Sequence, residues 1–572
     1  MPARSPAADA GADNLLWAGH LVDALVAAGV ARAVISPGSR SSPLALAWLR
    51  HPRARTHVVV DERAAAFFAL GLAKGGGAPA ALVSTSGSAP AHWLPAVIEA
   101  NHSATPLLLL SADRPAELQD CGANQTVDQV KLFGTHVRAF HQTGEASHAA
   151  ERLRQLRWLA GRAADAARYP LPGPVHINVP LREPLLPAGD APPLPHDTTP
   201  AIDVSHPVAA PDPRAVTDVA RLLAGSPGVI VCGPMRADPP FAAAVGALAA
   251  QLGSVILADP LSNLRFGIHD RSRVLTRYDA FLRHGFVYEG TLQWVLRFGA
   301  PPTSKPLAQL LARLDVPQVL VSADGRWLDP THRAARVLHA DPAQACHAIA
   351  CAIERPFEAD LLPPLRALDQ HAEADAQRLA EVKPLFEAHV IHALLARLPD
   401  GARLFTGNSM VVRDLDGFSG SGAKRIDILG SRGASGIDGN VSTVLGIAAA
   451  SDGPVVGLLG DLALFHDLTG LQAAREADAL LVVLNNGGGG IFGYLPQAGL
   501  PEFERGWLTP AGLDIEQAAG LFGVAYRRAA SGAELGRALD ALLAEPGTRL
   551  LEVVIDREAS LAHHRAYWGE AG

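Results

Sequence analysis

Val455-Val-Gly-Leu-Leu-Gly-Asp461 and Leu480-Leu-Val-Val-Leu-Asn-Asn486 are two short apolar runs that each close on polar residues. A run of five apolar residues with no polar alternation reads as a strand covered on both faces, as in a parallel sheet flanked by helices. The 25 residues from Asp461 to Asn486 leave room for one helix and a return strand. Asp461 and Asn486 are therefore expected at the C-terminal ends of neighbouring parallel strands, where open α/β sheets bind ligands. Asp461 offers a carboxylate and Asn486 an amide oxygen, and Gly487–Gly490 lets backbone carbonyls approach the same point. This donor set suits a diphosphate held through Mg²⁺, which takes one or two side-chain oxygens together with phosphate oxygens and water.

The same rhythm extends through the chain. Ala33–Ile35, Ala80–Val83, Pro106–Leu110, Val229–Val231 and Val319–Val321 read as buried strands, and Arg63–Lys74 and Glu151–Arg168 as helices between strands. The expected fold class is α/β, with three doubly wound parallel-sheet domains. Eight prolines fall in the 27 residues from Pro187 to Pro213, which reads as an extended linker. The expected division is 1–190, a Pro-rich linker at 191–210, 211–360 and 361–572. The outer two segments share Gly-rich turns after strand ends and could be structurally related.

Composition sets the bounds. The 572 residues carry 49 Lys+Arg against 57 Asp+Glu, a formal charge of −8. This disfavours a general nucleic-acid binder, but a local basic pocket for an anionic small molecule remains open. With 48% hydrophobic and 19% charged residues, disorder is excluded for most of the chain. Four cysteines, Cys121, Cys232, Cys346 and Cys351, form no C-x-x-C pair, which fits a reducing compartment. No apolar run reaches the ~20 residues of a membrane span. A cytoplasmic protein is expected, with Met1–Asn14 as a mobile tail. Gly75-Gly-Gly does not make a G-x-G-x-x-G dinucleotide loop. His563-His564 lacks further metal ligands and reads as part of a surface helix. Cys121 reads as a small buried residue.

The Gly460-Asp461 to Asn485-Asn486 pattern resembles the thiamine diphosphate signature. The resemblance implies that Asp461, Asn486 and the Gly488 carbonyl hold Mg²⁺ or Mn²⁺. It also implies a pyrimidine-binding first domain, a central α/β domain and a diphosphate-binding last domain. A glutamate after a short strand is part of the same pattern, and His57-Val-Val-Val-Asp-Glu-Arg-Ala-Ala-Ala-Phe supplies Glu62. In the family this carboxyl hydrogen-bonds the cofactor's N1′ and drives formation of the ylid. The other reading of Glu62 is a first-turn acid favoured by the helix macrodipole.

Longer strings narrow the resemblance. Ser36-Pro-Gly-Ser-Arg-Ser-Ser-Pro-Leu, Ser111-Ala-Asp-Arg-Pro-Ala-Glu-Leu, Asp120-Cys-Gly-Ala-Asn-Gln-Thr, Gly407-Asn-Ser-Met-Val-Val-Arg-Asp and Ser431-Arg-Gly-Ala-Ser-Gly-Ile-Asp-Gly are similar to the 2-succinyl-5-enolpyruvyl-6-hydroxy-3-cyclohexene-1-carboxylate (SEPHCHC) synthase family of menaquinone biosynthesis. The resemblance runs from about residue 15 to the C-terminus and is weakest in the middle. It implies decarboxylation of 2-oxoglutarate and conjugate (1,4) addition of the succinyl unit to isochorismate. Two dicarboxylate substrates call for several cations, preferably arginines. The matching positions are Arg40, Arg114, Arg413, Arg432 and Lys305, with Ser39, Asn124, Gln125 and Ser409 as neutral partners. Ile437 matches the residue under the bent cofactor, and Ile491 and Phe492 match apolar lining. Gly460, Ser435, Leu462 and Ala463 are implied cofactor neighbours. Where the family often has a second basic residue after the lysine, Pro306 stands here. A homodimer or homotetramer with active sites between subunits is implied. Two other readings remain: a different thiamine diphosphate-dependent 2-oxo acid decarboxylase or carboligase, and a non-catalytic scaffold subunit.

Overall fold

The computed structural model describes residues 6–197, 200–286, 288–355 and 360–569. Three six-stranded sheets succeed one another, and all their strand pairings are parallel. The first holds β1 (Arg32–Ile35), β2 (Arg55–Val58), β3 (Ala80–Ser84), β4 (Leu107–Asp113), β5 (Ala139–Gln142) and β6 (Pro174–Pro180), in the order β2-β1-β3-β4-β6-β5. The second holds β7 (Gly228–Cys232), β8 (Ile256–Ala258), β9 (Val274–Leu275), β10 (Trp294–Phe298), β11 (Gln318–Ser322) and β12 (Ala334–His339), in the order β12-β11-β10-β7-β8-β9. The third holds β13 (Ala402–Thr406), β14 (Ile426–Gly430), β15 (Val455–Gly460), β16 (Leu480–Asn485), β17 (Ala525–Ala529) and β18 (Arg549–Val554), in the order β14-β13-β15-β16-β18-β17.

Counted along each unit, the first and third sheets have the same strand order. The second follows the other doubly wound order, that of a dinucleotide-binding sheet. Central strands such as β3 and β4 are buried along their whole length, because helices cover both faces. Among the described residues from Leu181 to Asp212 there is neither helix nor strand, and the proline-rich run lies there.

One apolar cluster crosses from the first unit to the last. It unites Phe67, Phe68, Leu70 and Trp93 with Val441, Val444, Ile447 and Leu481. Its axis is a helix pair, Glu62–Gly76 against Asn440–Ala449, whose backbones meet at glycines. A Cβ on Gly71 would lie 2.2 Å from the Thr443 carbonyl oxygen, and one on Gly446 would lie 2.0 Å from that of Phe68. Gly439, at φ 62°, starts the second helix directly against the Phe67 ring.

Three sequence readings are corrected. The Met1–Asn14 stretch is not a tail throughout: a helix spans Pro6–Ala27, while the first five residues lie outside those described. Alanine-rich sequence favours helix, and buried Asn14 docks it by donating to the Arg182 and Pro184 carbonyls at 2.6 and 3.2 Å. Cys121 is exposed, because its loop runs over the surface. His564 is buried, because its helix packs inward against the last sheet's neighbours.

The helix contact gives a direct test. Gly446→Ala should cost about 1–3 kcal/mol, since backbone cannot yield to the added methyl. Denaturant unfolding should show this loss, whereas Gly532→Ala, which meets nothing within 4 Å, should leave the midpoint nearly unchanged.

Candidate active site

In the third sheet the chain reverses direction between β13 and β15, so the crevice beyond their C-terminal ends is the topological switch point. Asp461 stands one residue past β15, and Asn485 ends β16 beside Val554. The Asp461 carboxylate accepts from the Leu462 N–H on Oδ1 and the Gly488 N–H on Oδ2, both at 2.8 Å. Burial pushes its pKa above the ordinary aspartate value, and the backbone donors oppose that rise. Among the described residues no cationic side chain pairs with it.

The two asparagines divide their work. Asn485 is structural: its Nδ2 donates to Glu552 Oε1 at 2.7 Å, and its Oδ1 accepts from the Gly487 N–H at 3.1 Å. Asn486 presents a buried Oδ1 with no hydrogen-bond partner. A buried acceptor left open costs about 1–3 kcal/mol unless a ligand meets it. Gly488, at φ 133°, lies so close to Leu508 that a Cβ would fall 2.3 Å from the Leu508 carbonyl oxygen. An unpaired desolvated carboxylate, an orphaned amide oxygen and a glycine turn together fit a hard cation carrying anionic oxygens.

Gly460, Leu462 and Ala463 surround Asp461 at the start of the helix Asp461–His466. Across the crevice, Ser409 precedes the helix Met410–Phe418 with φ 66°, a left-handed value outside the ordinary range for serine. Arg413, on the exposed face of that helix, donates to the Ser409 carbonyl at 2.5 Å. Arg432 donates to Asn408 Oδ1 at 2.8 Å. Asn408 Nδ2 in turn donates to the Ser431 and Gly436 carbonyls at 2.8 and 2.7 Å, which shapes the loop holding Ser435 and Ile437. Burial, together with nearby Arg413, lowers the Arg432 pKa, and Asp259 offsets part of this.

The first unit supplies a second cation pair. Arg40 is buried, donating to the Leu181 carbonyl at 2.8 Å and to the exposed Glu183 carboxylate at 2.5 Å. Arg114 donates to the Gln125 carbonyl at 2.7 Å and to Ser86 Oγ. Burial and the neighbouring Arg40 both lower the Arg114 pKa, so the pair favours an anion beside it. Gln125 Nε2 donates to the Ser86 carbonyl at 3.0 Å, while Ser39 and Asn124 are exposed on adjacent loops.

Glu62 is the first residue of its helix. Asp61 caps that helix, accepting from the Arg63 and Ala64 N–H groups at 2.9 and 3.4 Å. The helix start is anchored on the last unit: Thr469 donates to Asp61 at 2.8 Å, the Val60 N–H to Gln472 at 3.0 Å, and His57 meets Glu476 at 3.0 Å. Among the described residues no protein group hydrogen-bonds the Glu62 carboxylate, and no bond links it to Asp461 or Asn486. Ile491 and Phe492 lie half-buried in the turn Gly490–Tyr494.

Lys305 opens the helix Lys305–Arg313. Its side chain is exposed and Pro306 is buried behind it. The preceding Ser304 is an N-cap, so the chain turns helical immediately. A cation in a first helical turn opposes the macrodipole, so helix stability does not account for it. A separate cavity of about 740 Å³ lies between the three units, lined by Lys74, Arg236, Arg326 and Arg432 among others. It meets this site only at Arg432.

Two positioning groups escaped the sequence reading. Glu99, buried in the first unit, accepts from the Gly433 and Ala434 N–H groups at 3.1 and 2.7 Å, and Lys74 Nζ lies 3.6 Å from it. It fixes the Arg432–Ser435 loop from across the unit boundary. The available signal was a carboxylate directly after the apolar run Leu94–Ile98 of the Leu94–His102 helix. Asn408 lay inside a recognised string and could have been named.

Fold and site define a thiamine diphosphate-dependent enzyme. The family models agree: "Thiamine pyrophosphate enzyme, N-terminal TPP binding domain" matches residues 17–132, "Middle domain of thiamine pyrophosphate" matches 212–406, and "Thiamine pyrophosphate enzyme, C-terminal TPP binding domain" matches 424–553. Curated relatives are similar over nearly the whole chain. The 2-succinyl-5-enolpyruvyl-6-hydroxy-3-cyclohexene-1-carboxylate synthase of Dechloromonas aromatica is 46% identical, covering 95% of this chain and 99% of its own. Its namesake in Geobacillus kaustophilus is 42% identical, covering 97% of each. The chain belongs to the 2-succinyl-5-enolpyruvyl-6-hydroxy-3-cyclohexene-1-carboxylate synthase family. Among the described residues no helix is long and apolar enough to cross a membrane.

Asp461→Ala should weaken metal-dependent binding of thiamine diphosphate by about a hundredfold or more in titration calorimetry, since a buried carboxylate suited to a hard cation is removed. Asn485→Ala should act through stability instead, lowering the melting temperature.

Proposed function

We propose that this chain decarboxylates 2-oxoglutarate and adds the succinyl unit to C=C of isochorismate in a 1,4 sense, giving SEPHCHC and carbon dioxide for menaquinone biosynthesis in the cytoplasm. The observation that carries this reading is two arginine pairs at strand ends: Arg413 and Arg432 follow β13 and β14 in the sheet that carries Asp461, and buried Arg40 lies near Arg114 in the first unit. A decarboxylase acting on a monocarboxylate has less need of so many cations.

In this reading Asp461, Asn486 and the Gly488 carbonyl hold Mg²⁺, and Mn²⁺ offers the same oxygen preference. Thiamine diphosphate, when bound, supplies the carbanion chemistry that the side chains lack. Glu62 would hold a proton for the pyrimidine end of the cofactor, and Ile437 would pack against it. Ser435, Leu462 and Ala463 face its diphosphate. Arg413, Arg432 and Lys305 neutralise substrate carboxylates, as do Arg40 and Arg114. Ser39, Asn124, Gln125 and Ser409 orient them, and Ile491 and Phe492 keep water from the reacting carbon.

Residues 1–190 then serve the pyrimidine end and 361–572 the diphosphate end, with 211–360 between and 191–210 as linker. Among the described residues no group hydrogen-bonds Glu62, which supports a homodimer or homotetramer in which Glu62 faces the crevice of another subunit.

An assay with 2-oxoglutarate and isochorismate, with and without thiamine diphosphate and Mg²⁺, tests the proposal. Product should require all four. Carbon dioxide release that ignores isochorismate would point to the rival decarboxylase. Glu62→Gln should lower kcat by about a hundredfold or more with the fold intact. Arg413→Ala should raise the KM for 2-oxoglutarate by about tenfold or more, the scale of a lost charge-assisted contact.

A further inference from the structure

The helix Arg557–Tyr567 buries His564 between two elements of the crevice. His564 Nε2 lies 2.9 Å from Asp414 Oδ1. Its Nδ1 lies 2.9 Å from the Ser560 carbonyl oxygen and 2.9 Å from the Tyr494 hydroxyl. A carboxylate only accepts hydrogen bonds, so Nε2 carries a proton and donates to Asp414, while Nδ1 faces both the Ser560 carbonyl and the Tyr494 hydroxyl. Burial opposes a charge on the ring, but Asp414 and then Glu387 outweigh it, raising the pKa above the ordinary histidine value.

The partners locate its effect. Asp414 follows Arg413 directly on the helix Met410–Phe418. Tyr494 ends the turn that carries Ile491 and Phe492. Two residues beyond Asp414, Asp416 is held separately by Tyr278, at 3.0 Å, and by Arg265 of the central unit. His564 thus tethers the helix two residues nearer its N-terminus, the end that follows β13. We propose that His564 is a positioning residue of this active site: by bonding Asp414 through Nε2 and Tyr494 through Nδ1 it fixes the Arg413 helix against the Ile491–Phe492 turn. The inference rests on the role given to Arg413 above.

The charged and titratable groups facing the ring are Asp414 from its helix, Glu387 from the helix Glu387–Arg397, and Tyr494 from the turn. His563 and Arg565 flank it on its own helix. Phe386, Phe418 and Trp568 complete the enclosure. Glu387 accepts from Ser560 Oγ at 2.7 and 2.9 Å, and burial pushes its pKa up to about 7. The raised histidine pKa sets the sign. The tether is complete below the unfolded histidine value of about 6.5 and is lost as pH rises through the higher folded value.

The test uses the holoenzyme with His564→Gln and Tyr494→Phe, from about pH 6 to about pH 10. At neutral pH, His564→Gln should raise the KM for 2-oxoglutarate by about tenfold with a smaller change in kcat, and the alkaline rise in KM expected of the wild type should flatten in the variant. Tyr494→Phe, which removes one hydroxyl, should move KM the same way by less. A role in stability alone would lower the melting temperature and leave KM and its pH profile unmoved. Folded His564→Gln with wild-type KM across the range overturns the proposal, and if it does not fold, an unchanged KM in Tyr494→Phe does so. Melting reads the imidazolium without turnover. The stability advantage of the wild type over His564→Gln, or over Asp414→Asn if the former is unfolded, should shrink as pH rises, and a constant advantage overturns the charge assignment. An inactive wild type with a shrinking advantage would count against the proposed reaction and not against the tether.

Discussion

The backbone contact between the helices Glu62–Gly76 and Asn440–Ala449 governs the rest of the molecule. Helix separation follows the side chains at the crossing, and here glycines let the two backbones touch. The first and last units consequently share one apolar cluster instead of meeting across a polar boundary. Close packing of this kind has few alternative arrangements, because any displacement forfeits many small dispersion contacts at once. The start of the Glu62 helix is thereby set against Thr469–Glu476, and Gly439 is set against Phe67. Site elements from both ends of the chain inherit their positions from this crossing.

Much of the fold was legible because central parallel strands are apolar on both faces. β3, β4, β15 and β16 could be read directly as uninterrupted runs. Edge strands gave no such signal: β17 reads Ala-Tyr-Arg-Arg-Ala and is largely exposed. Asp461 and Asn486 could be read because one β–α–β unit fixes their separation, and Glu62 because it follows a strand and opens a helix. The long-range polar pairs could not. Glu99 with the Gly433 loop, Arg265 with Asp416 and His564 with Asp414 join residues more than a hundred positions apart. Nothing local in the sequence marks either partner. His564 was misread for that reason, since a histidine pair on a polar helix resembles solvent-facing sequence until its buried partner is known.

The central unit contributes no strand end to the crevice, yet it holds one of the crevice's helices. Arg265 donates to the Asp416 carbonyl at 2.8 Å and to Ser419 Oγ at 3.0 Å, and Arg277 bonds Glu373 at 2.6 Å and the Gly417 carbonyl. Burial pushes the Asp416 pKa up to about 7, against the pull of Arg265. A buried pair of this sort adds little net stability, but losing one member leaves an uncompensated charge. The central unit therefore acts on the site through the far end of the Arg413 helix.

The shared strand order of the two outer sheets hides a difference in charge. Loops after β3 and β4 are geometric counterparts of loops after β15 and β16, so either outer unit offers a similarly shaped face. Charge separates them. Where β4 leads into Arg114, its counterpart leads into the Asn485-Asn486 pair, and the end of β15 carries the desolvated Asp461. Two last units facing each other would set like carboxylates together at a dry surface, which is costly. Two first units would do the same with arginines. The two outer units thus share a strand order and differ in the charge at their strand ends.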